Sequence, residues 1–290
     1  MSNLLRGYGS LIDLCMMNAL LALSQYIVLR AGVFSLATAG LAAFGAYAAA
    51  NLIVAGAGLW PAVAAGAVAG LVVALALSLP LARLRGVYQA IATLAFVQIV
   101  VSFALFASRF TGGATGLNGI PKVVDTWQIA VVLIAATYFV SRISASPLGV
   151  AFDIIRQDET AAVSLGVNVA SHHRLAFAFS GILAGIGGAL MAGHDYSVVP
   201  EEFGFSMLVG ALSFVVLGGR QSVFGPIVGA VVLTLLPEVA RPLADNRMVL
   251  YGALLMAIIV YVPHGIVDGI ALRLPRMPRS RGATRLANAP

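Results

Sequence analysis

Nine apolar stretches, at 11–29, 33–54, 61–82, 87–107, 128–143, 175–193, 205–217, 224–240 and 248–263, leave this chain little room to fold as anything but a membrane bundle. A helix crosses the hydrocarbon core with about 20 consecutive apolar residues. Outer-membrane strands would instead alternate apolar and polar side chains, and these stretches do not alternate. The expected fold class is therefore all-α, a polytopic transmembrane helical bundle of about nine spans (about 8–10). Composition agrees: 60% of residues are hydrophobic and 10% charged, against roughly 25% charged in a soluble domain. Residues 1–272 read as one transmembrane domain. Residues 273–290, with Arg273, Arg276, Arg279, Arg281 and Arg285 around Pro275 and Pro278, read as a disordered basic tail.

The first stretch is long and is followed by Arg30 rather than a small-residue cleavage site, so it is expected to remain as a span. Its Cys15 is the one cysteine, so no intrachain disulfide can form. Stretches 205–217 and 224–240 are short and flanked by Gly218-Gly219 and Gly225-Pro226. They, and the region Ala31–Gly45, admit a broken or re-entrant helix. Glycines four apart, Gly66 and Gly70, Gly181 and Gly185, Gly225 and Gly229, would let helix backbones approach closely.

The net charge of +6 reports topology rather than nucleic acid, because Lys and Arg are retained on the cytoplasmic side. Counting back from a cytoplasmic C-terminus puts 83–86, 144–174 and 218–223 inside, and 108–127, 194–204 and 241–247 outside. The inner side then holds Arg30, Arg83, Arg85, Arg142, Arg156, Arg174, Arg220 and the five tail arginines. Arg6, Arg109, Lys122, Arg241 and Arg247 fall outside. The polar segment 148–174 is thus expected to face the cytosol.

Several chemistries have no residues to carry them. A phosphate-binding P-loop needs a lysine after its glycine turn, and Lys122 stands in Pro121-Lys122-Val123. Carriers driven by ions place ionisable groups deep in the bilayer, whereas Asp13 and Glu238 lie near stretch ends. Gln98 is the most central polar side chain, and Thr93, Gln98 and Asn118 are the candidates for a translocation path. His172, His173, His194 and His264 lack metal-ligand spacing, and His172–His173 read as a solvated loop end. No nucleophile pairs with a base inside the stretches, so no intramembrane enzyme is expected. No cofactor or metal is expected either.

Within 148–174, Asp158 and Glu159 precede Thr160-Ala161-Ala162-Val163-Ser164-Leu165-Gly166. Acids suit the start of a helix and glycine the position after its end, so a short helix lying across the membrane face is expected. Its alanines give little apolar mass for lipid anchoring and suit docking into a partner's groove.

Glu159, the Ala161–Ala162 pair and Gly166 resemble the coupling loop of ABC importer permeases. "RLRGVYQAIATLAF" at 83–96, "TGGATGLNGIP" at 111–121, "IRQDETAAVSLGVNVASHHRLAFAFSGILAGIGGAL" at 155–190 and "VVLGGRQSVFGPIVGAVVLTLLPE" at 215–238 occur in the order seen in that family. Over roughly residues 15–265 the chain resembles the M-type (LivM-like) permease subunits of branched-chain amino acid ABC importers, and the first two stretches favour these over the H-type sister subunits. The resemblance implies a multi-pass subunit of a bacterial inner membrane, whose C-terminus the arginine distribution places in the cytoplasm. It implies a second, H-type permease, two cytoplasmic ATPases and an external binding protein as partners, besides membrane lipid. ATP hydrolysis would belong to the partners, with Asp158, Glu159, Ala161, Ala162 and Gly166 receiving their motion. The substrate would be a branched-chain or related hydrophobic amino acid; the alternative is urea, a short amide or another small polar solute. The outer loop 111–121 reads as a rigid turn, and Asp195, Glu201 and Glu202 as an acidic face able to meet basic residues of the binding protein.

Overall fold

In a computed structural model, residues 2–82, 84–239, 252, 256 and 265–273 are described. The helices are α1 (Ser2–Arg30), α2 (Thr38–Val54), α3 (Leu59–Leu81), α4 (Val87–Phe106), α5 (Ser108–Thr111), α6 (Thr126–Ala145), α7 (Pro147–Gln157), α8 (Glu159–Ser164), α9 (Val169–His194), α10 (Phe205–Gly218), α11 (Phe224–Val239) and α12 (Ile266–Arg273). Two short strands, β1 (Leu117–Asn118) and β2 (Ser197–Val198), pair antiparallel, Leu117 with Val198 and Asn118 with Ser197.

Among the described residues, five helices are long and apolar enough to cross a bilayer: α1 from Gly9, α3, α4, α6 and α9. Helices α2, α10 and α11 are apolar but shorter, at 17, 14 and 16 residues. These eight match eight of the nine apolar stretches. The ninth, 248–263, and the basic tail beyond Arg273 lie outside the described residues. The helical membrane bundle expected from the sequence is the fold observed.

The centre of the bundle is α9, which packs against α1, α2 and α3. Glycine makes this possible: a Cβ at Gly70 would collide with the Gly181 carbonyl, and one at Gly185 with the Gly66 carbonyl. Glycine costs about 1 kcal/mol in a helix interior. Here that cost is offset by backbone-to-backbone packing, which in lipid replaces the hydrophobic drive. Gly225 and Gly229 of α11 press in the same way on Gly218 and Phe214 of α10.

The expected interruption near Ala31–Gly45 falls at 31–37, a non-helical segment between α1 and α2. Ala31, Val33, Ser35, Leu36 and Ala37 are buried, the condition under which irregular backbone survives at membrane depth. Side chains of neighbouring helices satisfy it. Gln25 Nε2 donates to Ser35 O (2.6 Å), Leu36 N donates to Thr93 Oγ1 (2.9 Å), and Thr38 Oγ1 donates to Gln25 Oε1.

The two ends of the bundle carry different loops. At one end, the segment 111–123 runs against 193–198: beside the β1–β2 pair, Ile120 N donates to Tyr196 O and Val123 N to Gly193 O. His194 there meets Asp13 of α1 at 3.1 Å. At the other end, Arg30, Arg85 and the α7–α8 segment come together through ion pairs. Loop 219–223 is clasped by α12, whose Asp268 carboxylate accepts from Gln221 N (2.8 Å) and Ser222 N (3.1 Å).

Candidate functional site

Segment 147–168 joins α6 to α9 as two short helices. Pro147 opens α7 at its first turn, where its missing N–H costs nothing. Gly149, Phe152 and Ile155 turn inward and anchor the segment. Asp158 then caps α8, its Oδ1 accepting from Thr160 N (2.8 Å), Ala161 N (3.1 Å) and the Thr160 hydroxyl (2.6 Å). The Thr160 hydroxyl foremost, then the two amides, hold this carboxyl below its ordinary range. Gly166 ends the turn at φ +79°, a left-handed conformation natural to glycine at a helix C-terminus.

Ala161 is exposed, while Ala162 is fully buried. The alanine pair therefore splits into one residue on the open face and one packed inward. Val163 and Leu165 are also exposed, at 61% and 71%. Their identity as exposed apolar groups was hidden in the sequence, because a six-residue helix is too short to show a periodic face.

Ion pairs tie the segment to α1 and to the turn between α3 and α4. Arg30, the last residue of α1, donates to Asp153 Oδ2 at 2.9 Å and to the Tyr26 hydroxyl at 3.0 Å. Glu159 lies 3.5 Å from Arg85, in the turn between α3 and α4. Between this turn and α8 lies a groove of about 470 Å³, lined by Arg85, Glu159, Val163, Gly166 and His173 among others. His172 and His173 are not in a loop: Asn168 caps α9 through Ser171 N, so both fall in its first turns. His172 packs edge-on against Phe152 of α7.

Thr93, Gln98 and Asn118 are not brought together. Thr93 is fully buried and bonded to Leu36 N, and Gln98 is exposed on another side of α4. Asn118 sits in the 111–123 loop, its amide donating to Thr115 O and Gly116 O. In the facing loop, partial desolvation, with the Asp195 carboxylate nearby, pushes the Glu202 carboxyl up. Among the described residues no group of three His, Cys, Asp or Glu side chains is placed to hold a metal ion.

The motif order, the glycine-packed bundle and the capped segment converge with direct comparison. The model of a family described as branched-chain amino acid transport system / permease component matches residues 8–260. The chain belongs to this family. It is 30% identical to the high-affinity branched-chain amino acid transport system permease protein LivM of Escherichia coli (strain K12), over 97% of this chain and 74% of that protein. To LivM of Salmonella typhimurium it is 32% identical, over 90% of this chain and 70% of that one. To BraD of Pseudomonas aeruginosa it is 27% identical, over 56% and 54%. No solved structure matches. As a permease component of this family, the chain is a multi-pass inner-membrane transport subunit, not an ATPase.

Proposed function

We propose that this permease forms, with a second permease of the H type, the path by which branched-chain or related hydrophobic amino acids enter the cell. An external binding protein delivers the substrate and two cytoplasmic ATPases drive the passage. The α7–α8 segment is the part the ATPases push. The observation that carries this reading is the α7–α8 segment with its exposed, capped α8: Arg30–Asp153 ties α7 to α1, and Arg85–Glu159 ties α8 to the α3–α4 turn. A push on Asp158, Glu159, Ala161, Ala162 or Gly166 is thereby delivered to helices of the bundle rather than absorbed in a loop. The acidic residues Asp195, Glu201 and Glu202 lie at the opposite end, where the binding protein would dock. Gln98, exposed on α4, is a residue of the translocation path in this reading.

The end bearing α8 is assigned to the cytosol, together with α12 and the C-terminus, by its arginines. Urea or short amides are not favoured as substrates, since the relatives found all carry branched-chain amino acid transport in their names. The test is purification of the assembled importer: the chain should copurify with a second permease and two ATPases, and proteoliposomes should import leucine only with ATP and the binding protein. Leucine transport by this chain alone would overturn the reading.

A further inference from the structure

A half-open cavity of about 290 Å³, with Leu14, Ser206 and Pro237 exposed at its rim, lies between α1, α10 and α11. That is at the small end of ligand pockets, which run to about 300–1,000 Å³ for larger ligands, so it suits a solute of amino-acid size. Most of its wall is apolar, with Leu21 and Phe214 among the lining residues.

Its polar groups are few and of two kinds. On one side is an acceptor group. Asn18 Nδ2 donates to Thr234 Oγ1 at 3.0 Å, leaving the Asn18 carbonyl oxygen without a donor among the described residues. Pro237, inside α11, has no N–H to give Leu233 O, the carbonyl four residues back. Both Leu233 and Pro237 line the cavity. An ordinary polar pair gluing helices together looks different: Ser24 and Ser180 bond at 2.9 Å and are wholly buried.

On the other side is a donor group. Ser206 and Met207, in the first turn of α10, also line the cavity. The Gly204 cap offers no side chain, and the Ser206 and Met207 amides have no acceptor within the helix. Such amides, with the helix dipole, favour a carboxylate. Glu201 and Glu202 stand just before this terminus, so a ligand with net negative charge is repelled while a neutral zwitterion is not.

We propose that this cavity is a site where the permease itself holds a zwitterionic aliphatic amino acid. The carboxylate lies toward Ser206 and the first turn of α10, the ammonium toward Leu233 O, Asn18 and Thr234, and the side chain against Leu21 and Phe214. This deepens the transport reading above and rests on it. Selection would then occur within the membrane as well as in the binding protein.

The test uses the assembled importer in proteoliposomes, with Cys15→Ala removing the native thiol and Thr234→Cys placing one in the cavity. Leucine uptake is measured first, and its absence in the Cys15→Ala parent overturns the transport reading itself. With uptake present, excess leucine should slow thiol modification at least about fivefold, as expected when free ligand is about four times its Kd. Isoamylamine, lacking the carboxylate, and 4-methylpentanoate, lacking the ammonium, should protect far less. Equal rates with and without leucine, or equal protection by all three, overturns the site while leaving the transport reading standing. Should Thr234→Cys fail to assemble, Ser206→Cys is read in the same way, and the same outcomes decide.

Discussion

The Arg30 guanidinium lies 2.9 Å from the carboxylate of Asp153, 123 positions later in the chain. One belongs to the end of a membrane helix, the other to the segment that the proposed function places under the ATPases. Directly beyond Arg30, a Cβ on Gly32 would lie 3.1 Å from Arg156 Cα. The non-helical segment 31–37 thus starts in contact with α7 and ends bonded to Thr93 of α4.

Arg30 is mostly buried, its side chain 12% exposed, so removing its partner leaves a poorly solvated charge. Asp153→Ala should destabilise the purified importer by about 1–3 kcal/mol and lower substrate-stimulated ATP hydrolysis more than basal hydrolysis. The exchange Arg30→Asp with Asp153→Arg should recover part of both. Thermal denaturation and ATPase assays on the single and double variants form the cycle that checks it.

Gly181 tests the packing. Its Cβ would meet Gly70 backbone and the Ala74 methyl, and neither can retreat without moving a helix. Gly181→Val should cost at least about 3 kcal/mol, at the upper end of overpacking effects, and abolish a monodisperse peak in detergent chromatography. Gly9→Val, where a Cβ meets nothing within 4 Å, should leave that peak intact.

The glycine pairs could be read from the sequence because their period is helical, whereas the partners they press against could not. Gly185 fits against Gly66 and Gly45, and no local pattern announces which helices become neighbours. Helix α8 was legible for a related reason: Asp158 and Gly166 act on the nearest few peptide groups, so their positions fix its ends. The inward turn of Ala162 depends on docking against the bundle, and composition cannot supply that. The cavity beside Asn18 was equally invisible, since Asn18 and Thr234 are 216 positions apart.

Gly166 separates docking from stability. A Cβ there meets nothing within 4 Å, yet φ is +79°. Gly166→Trp should therefore cost the isolated chain only about 1–2 kcal/mol of backbone strain. If the ATPase seats on this turn, the same change should remove most substrate-stimulated ATP hydrolysis. Stimulation at the level of the unmodified importer would show that the ATPase docks elsewhere.

The cap of α8 has a defined pH window. Its Asp158 carboxyl is held below the ordinary value, so the cap's contribution is complete above the unfolded-state pKa and is lost as pH falls through the lower, folded-state one. Between pH 8 and 5 no change is expected. Hydrogen exchange at the Thr160 and Ala161 amides, corrected for intrinsic rates, should stay protected across that range and lose protection only below about pH 4. Asp158→Ala should lose it at every pH.

Sidedness decides whether α8 can be reached by a cytosolic motor at all. The β1–β2 pair fixes loops 111–123 and 193–198 to one end, and the Arg30–Asp153 and Arg85–Glu159 contacts fix α7 and α8 to the other. The two ends therefore receive opposite assignments whatever the number of spans. The proposed function takes the arginine-rich α8 end as the cytoplasmic one. In a Cys15→Ala background, an impermeant thiol reagent added outside spheroplasts should label Thr115→Cys, and should label Ser164→Cys only after the membrane is opened. Labelling of Ser164→Cys from outside would place α8 beyond the reach of ATP and remove the basis for coupling through it.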